Sequence, residues 1–444
     1  MIAMRHGAVI LAIWGGPLLL ALPACDSESV KNGELLKQPS IALASESTAS
    51  TSAISQASAT NLTAMALQSS PGAVCNFHQH GAADRGMRLF PDAQGLVRIF
   101  ADASLVAASD PKLELDCTST DGTVLSTQAL DPSAAAALER RDTERFLRLP
   151  LRPALSGDPM AWTQAELIAA GYPPRPDSAK APELYANWLN LVGTPARRVS
   201  STVPHPGEER NQTNTIWAGP ILNAGTYDWV QGQWNVPAIS AGSAPGAAQA
   251  DAALWVGLDG QFGSSDVVQA GTDSNTWQGA SQLWFFHYAA WIEWYPLPMQ
   301  EISAAVYPGD SVLAEAWVGR SDGTIDATGG YGWYVVQNYT RNWFYSGSVS
   351  KPAGTMFAGN TAEWIIERPG VCVPLFGCSA LPLANFGSAS MSKTRAVATD
   401  GHLASPLTDP FAVFNMYTSH NLAIAGAGGT TSNPTAAYLW FNYQ

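Results

Sequence analysis

The chain has 444 residues, 46% hydrophobic and 13% charged, which is enough for two or three domains with a sizeable core and too apolar for a disordered polymer. Its 36 Asp plus Glu against 23 Lys plus Arg give a formal net charge of −13, which repels phosphate backbones and excludes nucleic acid as a partner. Charged residues fall well below the usual ~25%, and the wealth of Gly, Ser, Thr and Trp suits β-strands joined by tight turns.

Residues 1–24 read as an export signal: Arg5 precedes an apolar run from Ala8 to Leu22 that is too short for an ordinary membrane span. The run ends in Leu22-Pro23-Ala24-Cys25, which resembles a bacterial lipobox. It predicts a lipidated Cys25 and an extracytoplasmic protein, secreted or anchored at the bacterial cell envelope; simple secretion is the other reading. No later segment reads as a membrane span, so any membrane contact is through that anchor. Residues 25–71 are rich in Ser, Ala and Thr with almost no aromatic residue, the composition of a disordered tether.

Residues 72–205 read as a small mixed β/α region, either a propeptide or a retained accessory part. Short apolar stretches such as Leu96–Phe100 and a turn signal at Thr120-Asp121-Gly122-Thr123 predict strands and a hairpin. Helices are predicted near Ser133–Glu144, after a capping box of Thr163 with Glu166, and over Pro182–Leu191. The polar segment around 197–214 is an exposed linker. Setting Cys25 aside leaves Cys75, Cys117, Cys372 and Cys378 for an oxidising compartment. Cys75–Cys117 with Cys372–Cys378 is the favoured of three pairings, because each bridge then stays within one region. Cys75 with His78 and His80 is the competing metal use, but a fourth ligand at recognisable spacing is missing.

Residues 206–444 carry the acidity and most of the tryptophan. From residue 215 onward the chain has 13 of the 16 Trp and 15 Asp plus Glu against six Lys plus Arg. Apolar and polar residues alternate in short runs, as in Ser311–Val318, and long helical periodicity is absent. An all-β, antiparallel two-sheet sandwich is expected.

Gly-x-Ser-x-Gly, His-Glu-x-x-His and phosphate-loop patterns are missing, and after residue 215 the histidines are His287, His402 and His420. His287 reads as a strand residue. What remains is a set of carboxylates and amides within aromatic strands: Asp259 after Trp255, Gln269 and Asp273, Glu293 after Trp291, and Glu363 with Glu367. Polar groups among large apolar ones are costly unless paired or functional. Aromatic floors beside carboxylates suit extended peptides or sugars.

Taken in order, Trp217-Ala218-Gly219, Gln233 to Pro237, Trp255 to Gly260, Val268 to Asp273, Trp291 to Pro296, Thr361 to Glu367 and Asn385-Phe386-Gly387 resemble the glutamic peptidases of family G1, the eqolisins. The resemblance implies a concanavalin or jelly-roll-like sandwich whose concave face binds a peptide, and a catalytic Gln/Glu pair that falls on Gln269 and Glu363. Trp255, Asp259, Asp273, Trp291 and Glu293 match supporting or substrate-binding positions. It implies a monomeric acid endopeptidase acting on polypeptides, with no cofactor, no metal and no covalent intermediate. Two departures stand out: Ala289 replaces an Asp common in fungal members, and only Arg140–Arg152 could act as the basic segment that masks family precursors. The rival readings are a carbohydrate-binding sandwich or glycosidase using Glu293 with Glu363, and an inactive surface binding protein on the same scaffold.

Overall fold

A computed structural model describes residues 62–81, 86–102, 112–119, 121–200, 216–242, 249–281, 283–373, 377–418, 422–430 and 438–444. The export signal, Cys25 and most of the tether lie outside the described residues, as does segment 201–215. The last residues assigned to the tether do not follow that assignment: Leu62–Gln68 forms strand β1, because Met65, Ala66 and Leu67 find apolar burial.

The N-terminal region continues with β2 (Val74–Gln79), β3 (Met87–Leu89), β4 (Leu96–Asp102), β5 (Leu113–Thr118) and β6 (Val124–Ala129). Strands β3, β2, β5 and β6 make one small antiparallel sheet, and β5 and β6 pair around the expected turn. A disulfide joins Cys75 to Cys117 across the β2–β5 pair, which takes Cys75 away from any metal. His78 and His80 bond to Asp116 and Glu114 instead, each at 2.8 Å.

Three helices follow: α1 (Pro132–Arg148) capped by Asp131, α2 (Gln164–Ala169) with the Thr163–Glu166 capping box in place, and α3 (Pro182–Gly193). They end in the two-residue strand β7 (Arg197–Arg198).

The rest of the chain is a two-sheet sandwich. Its strands are β8 (Trp217–Leu222), β9 (Tyr227–Asn235), β10 (Gln249–Leu258), β11 (Val267–Gln278), β12 (Trp284–Tyr295), β13 (Ser311–Gly319), β14 (Tyr331–Asn338), β15 (Trp343–Ser350), β16 (Ala362–Glu367), β17 (Ser388–Ala398), β18 (Ala412–Phe414), β19 (Met416–Tyr417), β20 (Ala423–Thr430) and β21 (Tyr438–Tyr443). One sheet runs β1-β4-β12-β11-β10-β16-β8-β18, the other β19-β20-β21-β17-β9-β13-β14-β15-β7. The N-terminal region therefore extends an edge of each sheet, by β4 and β1 on the first and by β7 on the second: β4 meets β12 at Phe100–Phe286, and β7 pairs with β15 in parallel. A short hairpin, Gly370–Val373 with Gly377–Ala380, sets Cys372 opposite Cys378 in backbone register. Their side chains lie outside what is described.

Period-two alternation divides each strand between two faces. Leu254, Val256 and Leu258 of β10, with Val268, Ala270, Ile292, Trp294, Trp364 and Ile366, point into the space between the sheets. There the indole N–H groups find acceptors: Trp234 at Thr272 Oγ1 (2.9 Å), Trp294 at Asp266 Oδ2 (3.0 Å) and Trp364 at the Gln231 carbonyl (2.8 Å).

The second sheet's outer face carries Trp229, Trp317 and Trp333 in a stacked row, with centroids 4.7 and 6.1 Å apart. Helices α2 and α3 pack on this row through Leu167, Leu184 and Trp188. Asn187 donates to Gln231 at 2.9 Å, and Arg395 pairs with Glu183 at 2.8 Å. Beneath Pro173, Pro174 and Pro176 lies Glu315, whose carboxyl burial pushes up to about 8 despite Lys393. Asp228, next along the sheet from Trp229, is pushed by burial to about 6, with Lys180 offsetting part of the rise.

Both folded-state values exceed the unfolded ones of 3.8 and 4.5, so this stability is complete below the unfolded values. It is lost as pH climbs through about 6 and then about 8. The thermal midpoint should fall between about pH 4 and 8, and Glu315→Gln should reduce that fall by on the order of 5 °C. Parallel pH curves for parent and variant in scanning calorimetry would contradict this.

Candidate active site

The other face of the first sheet brings the sequence-predicted residues together. Strand register sets five residues in one row across five strands: Glu293 opposite Gln269, Gln269 opposite Gly257, Gly257 opposite Glu363, and Glu363 opposite Ile221. Gln269 and Glu363 thus stand two strands apart, roughly 10 Å between backbones, with a glycine between them. A Cβ at Gly257 would come within 2.8 Å of the Trp255 ring and 3.2 Å of the Gln269 and Val267 side chains. The absence of a side chain there keeps the gap between the amide and the carboxyl open.

Each member of the pair has one end tied and one end open. Gln269 donates through Nε2 to Glu293 Oε2 at 2.5 Å, leaving its buried Oε1 without a hydrogen-bond partner. Glu363 accepts from Thr361 Oγ1 at 2.9 Å through Oε1, and its buried Oε2 has no partner. Two buried acceptors without a protein partner thus lie in one row, on either side of Gly257. Burial raises the Glu363 carboxyl well above its ordinary value; the Thr361 bond opposes the rise, and Asp259 and Glu367 add to it.

The supporting residues divide by role. Trp255 is fully buried, stacks edge-on with Trp217 at 5.0 Å and donates to Glu367 Oε2 at 2.8 Å, so it fixes the floor beside Glu363. Asp259 ends β10 in a left-handed conformation, φ 66°, and its carboxylate takes the backbone N–H groups of Ala358 (2.6 Å) and Asn360 (2.8 Å). It clamps the loop that delivers Thr361 to Glu363. Trp291 lies opposite Gly271, where a Cβ would be 2.5 Å from the Leu254 carbonyl oxygen and from the Trp255 Cβ. Asp273 stands farther along β11, opposite Ala289 and Ala253. The Tyr334 hydroxyl donates to the Glu293 carbonyl at 2.9 Å, tying this row to the second sheet.

Thr361 and Gly257 were not singled out from the sequence. Thr361 shares a strand face with Glu363 by parity and could have been found that way; Gly257 acquires meaning only once strand register is known. The basic stretch from Arg140 is also placed elsewhere. Helix α1 is held by Glu139, which accepts from Tyr307 at 2.5 Å and pairs with Arg98, and by Asp142 on Arg98. Among the described residues, Arg88 of the N-terminal region lines the pocket around Asp273. His287 is a buried strand residue, its Nδ1 2.7 Å from the Arg98 carbonyl.

Residues 215–433 match the family model described as the Peptidase A4 family. The chain is 29% identical over 222 residues to scytalidopepsin B of Scytalidium lignicola, covering 50% of this chain and 75% of that protein. It is 28% identical over 212 residues to aspergillopepsin-2 of Aspergillus niger, covering 44% and 68%. Among solved structures, scytalido-glutamic peptidase with a peptide-based transition-state analogue is similar at a TM-score of 0.42 and 22% identity, covering 52% of this chain and 98% of that one.

Because the buried Glu363 has its folded pKa above the unfolded one, its fold contribution is complete in acid and lost as pH rises past the ordinary carboxyl range. Glu363→Gln, which cannot ionise, should melt at least about 2 °C above the parent at pH 7 and level with it near pH 3. Equal midpoints at both pH values would show that the carboxyl is not held in this way.

Proposed function

Since residues 215–433 belong to the Peptidase A4, or glutamic peptidase, family, we propose that this peptidase is an acid endopeptidase in which Gln269 and Glu363 activate water against a peptide bond. The observation that carries the reading is the pair of open oxygens, Gln269 Oε1 and Glu363 Oε2, facing one another's strand across Gly257.

With Nε2 engaged by Glu293, the free Oε1 of Gln269 accepts from a water. Glu363, protonated in acid, donates its proton to the carbonyl oxygen as that water attacks the carbon, and its carboxylate takes a proton from the attacking water. A neutral gem-diol results. Glu363 then gives the proton to the amide nitrogen, the C–N bond breaks, and a hydroxyl proton of the diol returns to the carboxylate. Every proton is accounted for between Glu363 and one water. Asp259, Thr361 and Glu293 position the pair, and Trp255 and Trp291 form the floor.

A glycosidase reading gives no part to Gln269, whose amide Nε2 already holds the Glu293 carboxylate at 2.5 Å.

The function includes export and a lipid anchor at Cys25, on the strength of the apolar run and lipobox-like residues at the N-terminus. Maturation by cleavage in the polar segment between about Arg198 and Asn214 fits its composition. Acid incubation should yield a new N-terminus there; an active chain that stays intact would assign residues 72–205 to a permanent role.

Hydrolysis of a denatured protein from pH 2 to 8 should peak below pH 5 and survive pepstatin. Gln269→Ala and Glu363→Gln should each lower kcat by about a thousandfold or more. A maximum above pH 7, or activity retained in either variant, would refute the mechanism.

A further inference from the structure

A cavity of about 590 Å³ lies between helix α1 and the sandwich and shares no lining residue with the Gln269–Glu363 row. Phe146, Tyr307 and Trp343 give it an aromatic floor, and Arg145, Leu147 and Leu149 stand exposed at its mouth. Two other guanidiniums on its wall are already compensated, Arg98 by Glu139 and Asp142 and Arg341 by Asp310 at 2.6 Å. Arg145 is exposed, and Arg148 has only an exposed pairing with Glu144 at 3.6 Å, which contributes little. From here the chain alternates apolar and basic residues, Leu147-Arg148-Leu149-Pro150-Leu151-Arg152, and its three leucines are 57, 42 and 43% exposed. Single leucines on a surface need no explanation, but three within five residues at the rim of a cavity do. This ledge is pinned in place: Arg197 donates to the Leu147 carbonyl at 3.1 Å and lies over the Phe146 ring, and the Arg152 N–H donates to the Ala196 carbonyl at 3.0 Å.

We infer that the ledge and the cavity behind it form a docking site for anionic phospholipid at a membrane surface, with the phosphate on Arg145 and Arg148 and the acyl part against Leu147, Leu149 and the cavity. The chain as a whole, at a net charge of −13, is repelled by an anionic surface. Residues 140–152 reverse that locally, with five arginines against Asp142 and Glu144, and Asp142 is turned inward to Arg98. A small soluble anion would leave the leucines in water, and a neutral apolar ligand would make no use of the arginines. A charged headgroup on an acyl chain uses both. An anchor at Cys25 would bring the folded part to such a surface without orienting it, and this ledge supplies the orientation. The site does not rest on the peptidase reading.

The test uses the chain as it stands after removal of the export signal, with Cys25→Ser so that any lipid binding comes from the folded part alone. Co-sedimentation near pH 7 and about 0.1 M salt compares vesicles of phosphatidylcholine with vesicles containing about one third phosphatidylglycerol. The anionic vesicles should bind about tenfold tighter or more, and Arg145→Gln with Arg148→Gln should remove most of that preference. Leu147→Ser with Leu149→Ser should weaken binding to the anionic vesicles by about tenfold. All four side chains are exposed, so an unchanged thermal midpoint reports that each variant is folded. Glycerol 3-phosphate, the headgroup chemistry without acyl chains, should not displace the chain at about 1 mM. Equal binding to both vesicle types, a preference that the arginine variant keeps, or full binding by the leucine variant overturns the site. Displacement by glycerol 3-phosphate would make it a site for free phosphate, and capture of a soluble acidic, leucine-rich peptide without vesicle binding would make it a protein-docking surface. Either result overturns the lipid assignment.

Discussion

A carboxyl group inside a β-sheet is tolerable when neutral and expensive when charged, and the arrangement around Glu363 follows from that. One oxygen takes the Thr361 hydroxyl; the other is left open toward the gap above Gly257. The loop that brings Thr361 is itself fixed by Asp259, a residue whose left-handed backbone turns the end of β10 so that its carboxylate can collect two N–H groups. On the far side of Gly257, the Glu293 carboxylate plays the matching part for the Gln269 amide. Each reactive end is thus defined by what holds the other end of the same side chain. Preorganisation of this kind comes from the strand pairing, which fixes backbone spacing before any side chain is considered.

The N-terminal region is woven into that sheet instead of sitting beside it. Strand β4 joins β12, the strand carrying Trp291 and Glu293, and β7 joins the edge of the opposite sheet. Both additions cover strand edges that would otherwise be open to pairing with other chains. Helices α2 and α3 cover the stacked Trp229, Trp317 and Trp333 row, and the same packing buries Glu315. The price of that burial is a carboxyl that must stay neutral, so the docking is strongest in acid. A cut in the linker would therefore leave the two parts held together by surfaces that acid reinforces.

Much of this was legible in the sequence because it depends on local pattern. The Thr163–Glu166 capping box, the turn between β5 and β6 and the alternation in β10 to β16 are short-range signals, and all three were read correctly. The Cys75–Cys117 bridge followed from parity of count and region. What could not be read was register. Gly257 looks like any strand glycine until Gln269 and Glu363 are placed on either side of it. For the same reason β1 was assigned to the tether: Leu62–Gln68 is apolar enough for a strand only once β4 is there to pair with it. The Arg140–Arg152 stretch drew attention through its charge density, whereas Arg88 reaches the pocket around Asp273 through topology.

Proton donation to a carbonyl oxygen needs Glu363 in its neutral form. Burial supplies that form, because a carboxyl raised well above its ordinary value remains protonated after exposed carboxyls have ionised. The upper limit of that range is set by how dry the Glu363 pocket is kept, which makes the packing of Trp255, Trp217 and Ile365 around it a determinant of pH range as much as of stability.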